Sequence, residues 1–151
     1  MFIGTLGMRL RGAYLGFHRR ANQHLLQYGV TADQFVVLTA LAEAEGLTQR
    51  ELVERVYSDA NTIAGMLARL EKRKLIRRQP HAEDGRARCV FLTTLGRRTQ
   101  QKLVEVARPM HAALEAQFTR QELDLLRELL GRVAVNYAPF ADSAVNQASE
   151  V

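Results

Sequence analysis

The chain has one cysteine, Cys89, no tryptophan and only three prolines in 151 residues. A single thiol makes no internal disulfide, which excludes a disulfide-stapled scaffold and agrees with a reducing compartment. Aromatic residues are scarce, at 7%. No apolar run approaches the roughly 18 residues that a membrane-spanning helix needs; the longest, Phe35 to Ala42, is interrupted by Thr39. No secretory leader is expected, because Phe2, Ile3 and Leu6 come before the first positive charges, Arg9 and Arg11, the reverse of a signal peptide's order. A soluble, cytoplasmic protein with no membrane partner is expected. Catalytic and metal-binding patterns are equally thin. His18, His24, His81 and His111 are scattered, and no His-x-x-x-His pair, glycine-rich phosphate loop or nucleophile elbow occurs. The one local cluster, His81 with Glu83 and Asp84, falls where a turn open to water is predicted. No enzymatic activity, cofactor or metal site is expected.

What is present is ordinary globular composition, 47% hydrophobic and 25% charged, at a length that fits one domain. The net charge of +5 is unevenly placed: residues 47–100 carry twelve basic and six acidic side chains, and the rest of the chain nine and ten. Within that segment Arg69, Lys72, Arg73, Lys74, Arg77 and Arg78 stand against Glu71 alone. Such a concentration is the footprint of a surface that faces phosphates, although a charge run by itself also suits a solvated helix face.

Apolar spacing and capping residues divide the chain. Leu6, Leu10, Ala13, Tyr14, Phe17, Ala21, Leu25 and Tyr28 recur at helical spacing, and Gly29 stops that helix. Thr31 with Gln34 makes a capping box for a second helix that buries Phe35, Leu38, Leu41 and Ala42 and ends at Gly46. Thr48 with Glu51 repeats the box for a short third helix, and Ser58 or Asp59 caps a fourth that runs through Ile63, Met66, Leu67 and Leu70 to about Lys74. The period then changes. A short extended stretch ends at Pro80, and Arg88 to Thr93 alternates Val90 and Leu92 with Cys89 and Phe91, so 81–86 reads as the tip of a hairpin. Thr94 caps a long helix that Pro109 should kink, and Thr119 with Glu122 opens a last one. That last helix is apolar on two faces, because Leu125 and Leu129 lie opposite the stripe of Leu123, Leu126, Leu130, Val133, Ala134 and Tyr137. A two-faced helix needs two neighbours, and a second copy of the chain is the expected one, with Leu6 and Leu10 placed in the same interface. Residues 138–151 are expected to be a loose tail.

The middle segment is a helix-turn-helix followed by a hairpin wing. With Ile63, Met66, Leu67 and Leu70 turned inward, Asn61, Thr62, Ala64, Gly65, Ala68, Arg69 and Lys72 face out. Asn61 can address adenine edges, Thr62 and Ala64 can touch a thymine methyl, and Gly65 and Ala68 let the backbone approach the groove floor. Arg69 can reach a guanine edge or a phosphate, while Lys72 and Arg73 suit phosphates. Thr48, Ser58 and the wing residues Arg86 and Arg88 complete the expected contact set with double-stranded DNA. Small residues on a helix face more often signal close packing; the convergence of caps, small outer face and cationic wing is what favours a groove-reading surface.

The motif DGR at 84–86 followed by VFLTTLG at 90–96 resembles the wing signature of the MarR family of bacterial regulators. TADQFVVL at 31–38, TQREL at 48–52 and NTIAGMLARLEKRKLI at 61–76 are similar to the family's second, third and recognition helices, so that the resemblance covers about 6 to 137. It implies a single mainly α domain over 1–151, with a winged helix at 30–98 and a small β wing, dimerised through the helices at 6–28 and 99–137. It also implies transcriptional regulation, usually repression of a pseudo-palindromic operator by a homodimer, relieved by a small ligand or by oxidation. By the same resemblance Arg86 enters the minor groove from the wing tip and Asp84 holds the wing. Two positions depart from the pattern: Lys74 stands where the family commonly has Gly, and Gly85 where Arg is frequent. Tyr14, Phe17, Tyr28, Phe35 and His111 are candidates to line an effector pocket, each also readable as a core residue. Two other readings stay open, a redox-responsive regulator using Cys89 and a winged helix serving only protein interaction.

Overall fold

The computed structural model describes residues 4–137, and the expected tail at 138–151 lies outside them. Six helices and three short strands follow in the order α1 (Leu6–Leu25), α2 (Ala32–Glu43), β1 (Leu47–Thr48), α3 (Gln49–Arg55), α4 (Ala60–Lys72), β2 (Ile76–Pro80), β3 (Arg88–Leu92), α5 (Thr94–Glu115) and α6 (Arg120–Tyr137). The first helix stops three residues earlier than its apolar spacing suggests, because Leu26–Tyr28 tightens into a 3₁₀ turn closed by Gly29 at φ +72. The capping boxes at Thr31–Gln34 and Thr48–Glu51 form with both reciprocal bonds. Asp59 rather than Ser58 caps α4, accepting from the Thr62 amide at 2.8 Å. Thr93 rather than Thr94 caps α5, accepting from the Gly96 amide at 2.9 Å.

The sheet has one more strand than the periodicity shows, in the antiparallel order β1-β3-β2. Leu47 and Thr48 pair with Val90 and Cys89, while Ile76 to Pro80 pair with Leu92 to Arg88. Val90 and Leu92 are buried and Cys89 and Phe91 half-buried, as the alternation predicts. The core beneath gathers Val37, Leu38, Leu41, Leu52, Ile63, Leu67, Leu70, Ile76 and Leu103. Phe35, expected in this core, is only half-buried, because Gln34 and Val37 take the inward positions of α2. Gly96 sets how closely α5 approaches β2: a Cβ there would overlap the Leu75 carbonyl oxygen and stand 2.9 Å from its carbon. Thr93 locks the same junction, its hydroxyl donating to the Lys74 carbonyl at 2.7 Å.

The chain divides into two compact units between Pro109 and Met110, inside α5. In the second unit Thr119 and Glu122 form the expected capping box, with Oε2 of Glu122 accepting from the Thr119 amide at 2.8 Å. Arg127 joins Glu115 at 2.7 Å. None of residues 110–135 is fully buried in the chain. Leu125 is 54% exposed and Leu129 41%, and at the other end of the chain Leu6 is 66% exposed and Leu10 half-buried. Among the described residues no single helix is long and apolar enough to cross a membrane.

Candidate nucleic-acid interface

Local hydrogen bonds hold the α3–α4 pair. Glu51 accepts from the Thr48 amide at 2.7 Å and its hydroxyl at 2.8 Å, and these bonds hold its carboxyl below the usual range against a small opposing effect of burial. Asp59 is lowered in the same way, first by the Thr62 hydroxyl at 2.6 Å and then by the Thr62 amide. The Thr62 hydroxyl is thereby engaged, and its methyl group is what it offers outward. Gln49 Nε2 donates to the Ala60 carbonyl at 3.2 Å, tying the third helix to the start of the fourth. Between them Tyr57 takes a left-handed φ of +54 and stands 81% exposed, while Ser58 is half-buried.

On α4 the inner and outer faces separate as the spacing predicts. Ile63, Met66, Leu67 and Leu70 are buried; Asn61, Thr62, Ala68, Arg69 and Lys72 are exposed, with Ala64 and Gly65 half-buried between them. Asn61, Thr62, Gly65 and Arg69 edge a hollow of about 350 Å³ that reaches back to Asn22 and Asp33.

The wing is organised by two side chains. Asp84 Oδ1 accepts from the Arg86 amide at 3.0 Å, and His81 Nδ1 accepts from the amides of Glu83 and Asp84, each at 3.1 Å. The His81 amide donates to the Ala87 carbonyl at 2.9 Å and closes the tip. Sequence spacing gave no sign of this use of His81, since the bonds go to backbone that any residue supplies.

The basic run separates into engaged and unengaged cations. Arg77 lies 4.7 Å from the Phe91 ring centre, Arg78 Nε is 3.2 Å from Glu71 at an angle too poor for a hydrogen bond, and Arg73 donates to the Gly29 carbonyl. Among the described residues, the side chains of Arg69, Lys72, Arg86 and Arg88 have no hydrogen-bond or ion-pair partner. Between the start of α3 and the wing lies a cavity of about 530 Å³, lined by Thr48, Gln49, Arg50, Arg78, His81, Asp84, Arg86, Ala87 and Arg88 and floored by Leu67 and Val90. Arg50, Arg78, Arg86 and Arg88 line it with the single carboxylate of Asp84; Arg50 is paired with Glu54 and Arg78 with Glu71, which leaves Arg86 and Arg88 as the unpaired cations that can attract a polyanionic backbone. Gln49, Arg50 and Arg78 were not among the contact residues expected from sequence; only the folded hairpin brings 78–88 against 48–50.

Of the expected effector-pocket residues, Tyr14, Phe17, Tyr28 and Phe35 belong to the first unit and His111 to the second. Tyr14 edges a cavity of about 150 Å³ with Asp33, Val36, Val56, Tyr57, Thr62 and Met66. Its ring stands 5.4 Å from that of His18, whose Nε2 lies 3.0 Å from Asp33 Oδ1. Burial, and secondarily the Asp33 charge, raise the Tyr14 hydroxyl above its usual pKa. Tyr28 lies under Lys102, with Nζ 5.3 Å from its ring centre. Phe17 and Phe35 are half-buried, and His111 is exposed in the second unit. Cys89 is half-buried in the middle strand, opposite Thr48 and Gln79.

A capped helix pair with a polar outer face and a cationic hairpin beside it define a winged helix-turn-helix of the DNA-binding kind. The sequence profile of the MarR family matches residues 30–87. Transcriptional regulator HosA of Escherichia coli is 33% identical over 120 residues, spanning 77% of this chain and 85% of HosA. An E. coli MarR cysteine-to-serine variant complexed with operator DNA superposes with a TM-score of 0.80 at 29% identity, covering 88% of this chain and 97% of the other. The PcaV transcriptional regulator of Streptomyces coelicolor, solved with its natural ligand, gives 0.74 at 29%, covering 89% and 94%. The chain belongs to the MarR family and is a DNA-binding transcriptional regulator.

Proposed function

We propose that the protein is a homodimeric repressor of the bacterial cytoplasm that binds a pseudo-palindromic operator, responds to a small ligand and performs no catalysis. In this reading residues 30–98 read DNA and the helices at 6–28 and 99–137 pair two copies. The observation that carries it is the outer face of α4, where Asn61, Thr62, Ala64, Gly65 and Ala68 leave a low, polar strip that ends at the unpaired Arg69, beside a wing whose Arg86 and Arg88 are also unpaired. Asn61 is assigned to base edges, Arg69 to a base edge or phosphate, Arg86 to the minor groove, and Thr48, Ser58 and Arg88 to the backbone. The complex of E. coli MarR with operator DNA supports the DNA partner, and PcaV with its natural ligand supports an effector. The cavity beside Tyr14, His18 and Asp33 is the proposed seat of that effector, because it touches both α1 and the start of α4. Exposure of Leu6, Leu125 and Leu129 supports pairing of two copies.

The test is titration against a duplex that the protein selects from a random pool and against a random duplex of equal length. The selected duplex should bind at least about a thousandfold tighter at physiological salt. Equal affinity for the two would leave a basic protein without sequence preference and contradict the reading.

A further inference from the structure

The basic run that ends the recognition helix contains one residue whose side chain leaves it. α4 stops at Lys72, Arg73 is its C-cap, and Lys74 takes the left-handed conformation at φ +58. The Leu75 amide returns to the Leu70 carbonyl at 3.0 Å and the Lys74 amide to Glu71 at 2.8 Å, so the backbone from which Arg73 departs is fixed. Its guanidinium reaches a corner 44 positions earlier in the chain, where Nη1 donates to the Gly29 carbonyl. That corner is also fixed. The Gly29 amide donates to Leu26 at 2.9 Å, Asn22 Oδ1 accepts from the Ala32 amide at 2.7 Å, and Lys102 lies over the Tyr28 ring. Glycine leaves room for the guanidinium: a Cβ on Gly29 would stand 3.3 Å from Arg73 Nη2.

A cation on a carbonyl at the end of a helical turn is a favourable pairing, and the planar fork of arginine holds one orientation better than lysine does. We infer that Arg73 is a positioning residue, which pins the C-terminal end of the recognition helix to the α1–α2 corner and so sets how α4 enters the groove, in place of the phosphate contact that its sequence position suggests. This rests on the DNA-binding reading above. Base contacts depend on the register of the helix in the groove, whereas phosphate contacts tolerate small displacements. Loss of the clamp therefore removes discrimination and leaves non-specific binding as it was.

The experiment uses the full chain with Arg73→Ala, Gly29→Ala and both together. The probes are the duplex that the wild-type protein selects from a random pool and a random duplex of the same length, across a salt series. Each single variant should lose about tenfold on the selected duplex and less than about twofold on the random one, and the double variant should lose less than the two losses combined, because both changes disturb one contact, Gly29→Ala also straining the corner backbone at φ +72. The salt slope on random DNA should stay at the wild-type value. Equal losses on both duplexes with a slope lower by about one ion would make Arg73 a phosphate anchor and overturn the inference; so would losses that simply add. Melting by circular dichroism accompanies each titration. If Arg73→Ala is unfolded at the assay temperature, Arg73→Gln replaces it, and a slope lower by about one ion again overturns the clamp. A wild-type chain that selects no duplex defeats the DNA-binding reading and this inference with it, whereas the other contrary outcomes defeat this inference alone.

Discussion

Residues 30–98 and residues 110–137 are both built from capped, amphipathic helices, yet only the first set completes a core. In α4 the four inward apolar residues are all buried, whereas in α6 Leu125, Leu126, Leu129 and Leu130 remain between 37% and 54% exposed. At about 2 kcal/mol for each leucine fully buried, the winged helix gains stability from its own chain, and the last helix has comparable apolar surface still to cover. The two regions therefore differ in what completes them: folding finishes the first, and pairing of two copies is what we propose for the second. The unpaired Arg69, Lys72, Arg86 and Arg88 all lie in the first region.

The comparison breaks most visibly if the exposed leucines can be changed without consequence. Leu125→Arg with Leu129→Arg should give a monomer by light scattering at micromolar concentration, and affinity for the selected duplex should fall by about a hundredfold or more, because two half-sites no longer bind together. A dimer that survives the change would place the interface elsewhere. Next in size is a pair of identical substitutions expected to act with opposite sign. Gly96→Ala forces a methyl onto the Leu75 carbonyl and should destabilise by about 3 kcal/mol in urea unfolding. Gly131→Ala, on a stretch of α6 where a Cβ meets nothing within 4 Å, should stabilise by about 0.5 to 1 kcal/mol.

Two substitutions separate the probes of the finished region. Asn61→Ala should cost about 1 to 3 kcal/mol on the selected duplex and little on random DNA. Arg86→Ala should weaken both more nearly alike and lower the salt slope by about one ion. The reverse pattern in a fluorescence-anisotropy salt series would exchange their roles. A smaller effect is expected at Lys74, held at φ +58 where a side chain is strained: Lys74→Gly should raise stability by about 0.5 to 1 kcal/mol, read as a shift of the urea midpoint.

The smallest effect is a pH dependence shared by the capping carboxylates Glu51, Asp59 and Glu122, all held below their usual pKa by hydrogen bonds at helix N-termini. A depressed pKa in the folded state contributes stability above the ordinary carboxylate range, and that stability is lost as pH falls through it. Melting temperature should therefore drop between about pH 5 and pH 3. Asp59→Asn, which still caps but does not titrate, should flatten part of that slope; an unchanged slope would show that the cap's charge does not matter.

Helix boundaries were legible in the sequence because a capping box is written within four residues, as at Thr31, Thr48 and Thr119. The split of α4 into buried and outer faces was legible for a similar reason, since 3.6-residue spacing is local. What escaped depends on distant partners. The two residues of β1 become a strand only because Val90 and Cys89 lie opposite them. Thr93 displaces Thr94 as the cap because its hydroxyl also meets the Lys74 carbonyl. Asp84 could be assigned to the wing from a motif, but His81, which accepts two amides in the same turn, carried no such signal. Arg73 looked like one more cation in a run, and only the fold shows the carbonyl that engages it.

The division of labour between the two regions is tested most directly by a hydroxyl-radical footprint of the wild-type protein on the duplex it selects. Two recognition helices carried by a two-fold pair should protect two half-sites whose centres lie about one helical turn, roughly 10 base pairs, apart, with the wing marking the minor groove outside each. Protection of a single asymmetric half-site, bound as tightly as the full duplex, would contradict the account.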